Sequence, residues 1–179
     1  MASPSDKEKS DNAITLLSHP STGVSAKASS VQHRNMKEYG PMNALKSEDV
    51  SSCWYSDGNS SNDDPQWYLI QFGRPIQPTQ LKLQFQAGFA AETCHIQIQQ
   101  QSSSPTTKDW ESWQEVEPDD VHDVQSFPLT KEDAKESTTK AIKLVFGDFT
   151  DFYGRIMIYR IEIWGVECQN NLTNKQEDS

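Results

Sequence analysis

The chain has only three cysteines in 179 residues, Cys53, Cys94 and Cys168. An odd count without metal-ligand spacing excludes a disulfide framework and a zinc site, and leaves reduced thiols. Apolar runs are short: none approaches the roughly 18 residues of a membrane span. The first residues lack the basic stretch and apolar segment of a secretory signal, so a soluble intracellular protein is expected. The Asn59 and Asn171 matches to the glycosylation pattern then have no consequence. Basic clusters are missing as well. With 16 Lys and Arg against 26 Asp and Glu, the net charge is -10. Such a surface repels phosphate backbones and anionic headgroups, which removes nucleic acid and membrane as partners. The four histidines, His19, His33, His95 and His122, accompany no nucleophile motif and no phosphate-binding glycine loop. No enzyme and no cofactor are expected from them.

What the chain does have is alternation. In Gln80 to Gln86, Leu81, Leu83 and Phe85 face one way and polar residues the other, the pattern of a half-buried strand. His95 to Gln101 repeats it with Ile96 and Ile98 and ends in Ser102 to Pro105, a loop signal. Pro65 to Ile76 carries apolar residues on both parities, which predicts a central strand covered on both faces and ended by Gly73 and Pro75. Helical signals are confined to short turns near Thr130 to Asp133 and Asn43 to Val50. The spacing predicts an all-β, two-layer jelly-roll sandwich with one or two short helical turns. The chain length suits one domain, over residues 13–166. Residues 1–12 and 167–179 are polar and are expected to be disordered tails. The negative charge concentrates between Lys108 and Glu136, which holds ten acidic residues against three lysines. That stretch reads as a solvated connection or as a docking face for a basic partner.

The segment Asp148 to Arg155, DFTDFYGR, packs three aromatics, two carboxylates, a glycine and an arginine between two strand-like runs. These runs, Ala141 to Phe146 and Ile156 to Trp164, are expected to pair with each other, with a shaped recognition loop between them. Phe149, Phe152 and Tyr153 either grip a ligand or plug the end of the core. Asp148 and Asp151 either orient Arg155 or accept hydrogen bonds from a ligand. Gly88 and Gly154 are expected where a Cβ would obstruct the backbone.

Three pieces in order, Cys53 to Asp57, Pro65 to Phe72 and Arg155 to Gly165, together resemble the discoidin, or coagulation-factor type C, domain. Phe85 to Phe89 (FQAGF) with DFTDFYGR resembles a narrower group, the small intracellular nuclear receptor-associated corepressor proteins. The resemblance spans roughly residues 24–166. It implies a galactose-binding-like jelly roll in which Trp54 sits under a loop and Trp67 begins a core strand. It also implies a nuclear or cytoplasmic, monomeric protein-interaction module whose partner is a protein, a nuclear receptor foremost. A carbohydrate-binding module on the same fold is the alternative. On this pattern Gln86, Phe89, Asp151, Phe152, Tyr153 and Arg155 form the binding patch at one end of the sandwich. Several domains of this fold hold a structural calcium, for which Asp49 and Glu162 are the positions of interest. Calcium takes six to eight oxygens, and two side chains are too few, so no metal is expected. No Leu-x-x-Leu-Leu segment occurs; Leu16-Leu17 comes closest, with Ala13 at the first anchor position.

Overall fold

The computed structural model describes residues 13–99, 109–130 and 138–169. The expectations for residues 1–12 and 170–179, for the Ser102 to Pro105 loop and for positions 131–133 of the turn begun at Thr130 lie outside them. Among the described residues nine strands form: β1 (Thr15–Leu16), β2 (Ser25–Ala28), β3 (Trp54–Tyr55), β4 (Gln66–Phe85), β5 (Ala91–Gln99), β6 (Trp110–Val116), β7 (Gln125–Pro128), β8 (Thr139–Phe149) and β9 (Met157–Glu167). One α-helical turn, α1 (Met36–Tyr39), and short 3-10 turns complete the elements. The second expected turn begins earlier than Asn43, as a 3-10 helix over Pro41–Leu45, because Pro41 supplies the fixed φ of a first helical position.

The architecture turns on β4. Its first half pairs antiparallel with β2 and β8, from Gln66 to Gln71; its second half, from Ile76 to Phe85, pairs with β9, and Gln80 to Leu83 also pair with β7. The register shifts between Gln71 and Ile76, where Gly73 adopts φ +68 and Pro75 has no N–H to donate. A strand broken in this way changes direction and passes from one layer to the other. One layer is therefore β2, β4, β8, β5 and β6; the other is β7, β4 and β9, with β1 and β3 on the far edge of β9.

Side chains from the two inner faces meet in rows. Tyr68, Leu144 and Ile96 lie in register across the first layer, as do Ile70, Ile142 and Ile98. Opposite them Leu81 pairs with Ile163 and Leu83 with Ile161. All ten are buried, which is the physical return on their alternation in the sequence. Trp54 is fully buried, and its indole N–H donates to Ser30 O at 2.9 Å, so it pins the N-terminal loop to the core as expected. The hydroxyl of buried Tyr68 donates to Pro41 O at 2.7 Å and fixes the 3-10 turn. Burial raises the Cys53 thiol to about 11 and pushes the Cys94 thiol far up, so both stay protonated; all three cysteines are free. Leu17 is buried beside β1, which places the Leu16-Leu17 pair in the sandwich rather than on a free helix.

Three expectations are corrected. The strands flanking DFTDFYGR do not pair with each other: β9 and β8 flank β4 on opposite sides, and the loop bridges the layers. Alternation identifies a strand but not its neighbour. Trp67 and Leu69 are only partly buried, since β4 has one inner face; the outer face of Trp67 is covered by Lys143, whose Nζ lies 5.1 Å from the ring centroid. The last strand also reaches Glu167, and the Cys168 N–H donates to Pro75 O at 3.0 Å, beyond the boundary expected at residue 166.

Gly165, in β9, passes directly over Gln77 and Pro78, where a Cβ would collide with the Gln77 carbonyl oxygen. Gly165→Ala should cost about 1–3 kcal/mol of stability, read as a lower urea midpoint at unchanged slope; an unchanged midpoint would show that the two strands can separate without penalty.

Candidate binding site at the loop end

The loop after β8 is organised by one carboxylate. Asp151 Oδ2 accepts from the backbone N–H of Tyr153 and of Arg155, each at 3.1 Å, and from Arg155 Nε at 2.9 Å; Oδ1 accepts from Arg155 Nη2 at 3.0 Å. This bidentate, largely buried pair locks a turn five residues long, from Asp151 to Arg155. The Arg155 guanidinium, its donors foremost, holds the Asp151 carboxyl below the usual carboxylate range. Gly154, at φ +70, closes the turn against Ser60, where a Cβ would strike the Ser60 carbonyl. Asn59 N–H donates to Tyr153 O at 2.6 Å, so the 57–60 loop supports this one from behind.

That support is itself anchored by a buried amide. Gln66 Oε1 accepts from the hydroxyls of Ser29 and Ser30, and its Nε2 donates to Asp57 O and to Ser60 Oγ. Asp57 N–H in turn donates to Ser30 Oγ at 3.0 Å. With every polar atom of Gln66 engaged, the loop has one arrangement to choose.

On this frame the aromatic side chains form a row. Arg155 lies between two rings, its guanidinium carbon 5.2 Å from the Phe89 centroid and 5.3 Å from that of Tyr153. Phe89 packs edge-on to Tyr55 at 5.8 Å, and Tyr55 edge-on to Tyr39 at 5.5 Å. At the other end Phe152 meets Tyr153 edge-on at 5.2 Å. Phe152 is 94 % exposed and Tyr153 58 % exposed. The Gln86 to Phe89 turn that carries Phe89 depends on Gly88 at φ +85, and its N–H is held by Asp120 Oδ1 at 2.7 Å.

Five of the six expected residues thus converge: Phe89, Asp151, Phe152, Tyr153 and Arg155. Gln86 sits in the same turn as Phe89, but its side-chain oxygen accepts from Tyr159 at 3.0 Å on the flank. The aromatics divide by residue: Phe149 packs against the core, while Phe152 and Tyr153 project into solvent. The two carboxylates divide as well. Asp151 orients Arg155, whereas Asp148, at φ +51, is clamped by Asn62, accepting from its Nδ2 and donating its own N–H to Asn62 Oδ1. Sequence reasoning missed Tyr39 and Tyr55. The signal for Tyr55 lay in the Trp54-Tyr55 pair, since alternation that buries the first turns the second outward.

Asp49 and Glu162 lie apart in function. Asp49 Oδ1 accepts from Ser51, and buried Glu162 accepts from Arg160 Nη1 at 3.1 Å and Trp164 Nε1 at 2.8 Å. No group of three or more His, Cys, Asp or Glu placed to hold a metal occurs among the described residues. None of their helices is long and apolar enough to cross a membrane.

The depressed Asp151 value has a pH consequence. The pair contributes fully above the unfolded aspartate value of about 3.9 and is lost as pH falls through the lower folded value. The stability difference between wild type and Asp151→Asn should therefore be constant above about pH 5 and shrink in stronger acid. Urea unfolding at several pH values measures it, and a pH-independent difference would contradict the pairing.

A model of the Sad1/UNC-like C-terminal family matches residues 34–167. The nuclear receptor 2C2-associated protein of Danio rerio is 31 % identical over 140 residues, covering 78 % of this chain and 89 % of that protein. Among solved structures, chitosan-binding module 1 of a Paenibacillus sp. IK-5 chitosanase/glucanase superposes with a TM-score of 0.64 at 19 % identity, covering 84 % of this chain and 99 % of the module. An F5/8 type C domain from Bacteroides fragilis gives 0.63 at 14 % identity, covering 82 % and 94 %. At such identities the two structures establish the jelly-roll fold and nothing further. The chain belongs to the Sad1/UNC-like C-terminal family, on a discoidin-like, galactose-binding-like sandwich, and is a relative of the nuclear receptor 2C2-associated proteins.

Proposed function

We propose that the chain is a non-catalytic, intracellular protein-interaction module that works in the nucleus, the cytoplasm or both and grips its partner with the loop end of the sandwich. The observation that carries this reading is Phe152, 94 % exposed on a loop that Asp151 holds rigid. A large apolar ring in water is a standing cost that a partner removes, and a preordered loop loses little entropy when it docks. Tyr153 and Phe89 extend the contact, and Arg155, stacked between them, offers a planar cation beside it. The relatives' name points to a nuclear receptor as the partner class.

A second reading follows from the chitosan-binding module of like fold: the same aromatics would serve as a platform for a sugar face. The two differ in what saturates the loop.

Immobilised nuclear receptor 2C2 should capture the wild-type chain, and Phe152→Ala with Tyr153→Ala should weaken that capture about tenfold or more while leaving the thermal midpoint unchanged. Full capture by the double variant would remove the loop from the interface. Failure of the wild type to bind, together with saturable shifts of the 151–155 amides on titration with oligosaccharides, would establish the second reading instead.

A further inference from the structure

A groove of about 300 Å3 lies on the outer face of the first layer. Its floor is Val145 and Gly147 of β8 with Thr93 of β5; one wall is Asn62, Pro65 and Asp148, the other His95 and Glu115. The strand register explains the convergence: Thr93 faces Gly147, and His95 stands between Val145 and Glu115. Gly147 keeps the floor open, since a Cβ there would press on Thr93 Oγ1 at 2.7 Å and Asn62 Oδ1 at 3.1 Å. The second wall is braced by His95 Nδ1, 2.9 Å from Glu115 Oε2.

The atoms left over are mostly acceptors. Asn62 is consumed by its clamp on Asp148, and Glu115 Oε2 by His95. Among the described residues, Asp148 Oδ2, Glu115 Oε1, Thr93 Oγ1 and His95 Nε2 have no hydrogen-bond partner. Two carboxylates from opposite walls, with a hydroxyl between them, ask for a group with several donors and a positive charge. Glu115 also belongs to the acidic stretch from Lys108 to Glu136, which raises the local concentration of a cationic ligand.

We propose that this groove is a subsite for a lysine or arginine side chain of a partner protein. The aliphatic stem lies along Val145 and Pro65, and the cationic head reaches between Asp148 and Glu115. The shape favours a side chain over an amino sugar. A sugar ring seeks a broad exposed aromatic face, but among the described residues lining the groove the one Phe, Tyr or Trp is Phe146, which is buried beneath the floor, and the neighbouring Trp67 ring already carries Lys143. The subsite uses none of the residues in the aromatic row, so the two surfaces stand or fall separately.

The test is a titration of the 15N-labelled full chain with acetylated, amidated alanine pentapeptides bearing a central arginine, lysine or norleucine. The charged peptides should give saturable shifts of the Thr93, His95, Glu115, Gly147 and Asp148 amides that weaken with added salt, and the norleucine peptide none. Glu115→Gln with Asp148→Asn preserves the His95 and Asn62 contacts and suits the left-handed backbone at 148, so it should fold normally and bind about fivefold more weakly. Phe152→Ala with Tyr153→Ala should bind as wild type. No shifts with either charged peptide, equal shifts with norleucine, or shifts with glucosamine oligomers in place of peptides would each overturn the proposal.

Discussion

The Asp151 carboxylate accepts four hydrogen bonds inside its own loop, two from backbone N–H groups and two from the Arg155 guanidinium. Without them, a run containing Phe152, Tyr153 and Gly154 would have many conformations open to it, and its exposed rings would fold inward to escape water. Because one carboxylate satisfies both the turn and the cation, the guanidinium is fixed at the spacing that lets Phe89 and Tyr153 stack on it. Nearly everything distinctive about this end of the molecule follows from that geometry. The scaffold beneath, from Gln66 through Ser29, Ser30 and the 57–60 loop, keeps the turn from tilting.

The sandwich lends rigidity by a simple device. A single strand, β4, serves both layers, so the two faces of the core cannot slide independently. The break at Gly73 to Pro75 makes this possible. Loops at the end of such a body can carry exposed apolar groups without unfolding, because the energy that holds them comes from rows of buried Ile, Leu and Phe far below. The outer groove is built on the same economy of backbone: one glycine, Gly147, leaves room that any other residue would fill.

Much of this was readable in advance. Alternation in Leu81, Leu83 and Phe85, and in Ile142, Leu144 and Phe146, announces half-buried strands because a pleated backbone sends neighbours to opposite faces. The loop chemistry of DFTDFYGR was readable too, since three aromatics crowded between strands leave few places for all of them to hide. Less legible was the role of each member. Phe149 and Phe152 are the same residue type three positions apart, and one packs on the core while the other stands in solvent. Asp148 and Asp151 are equally alike, yet each found a different partner, Asn62 and Arg155.

Local periodicity, composition and motif order alone determined the all-β class, the longer strands and the place of the exposed aromatic loop, because these depend on residues within a few positions of one another. Which strands lie side by side, which carboxylate holds the arginine, that Tyr39 and Tyr55 join the aromatic row, and that Asn62, Thr93, His95, Glu115 and Asp148 enclose one groove were decided only in three dimensions. Those contacts join residues as far apart as Thr15 and Gly165, and no short-range pattern encodes a meeting that depends on how two layers close over a shared core.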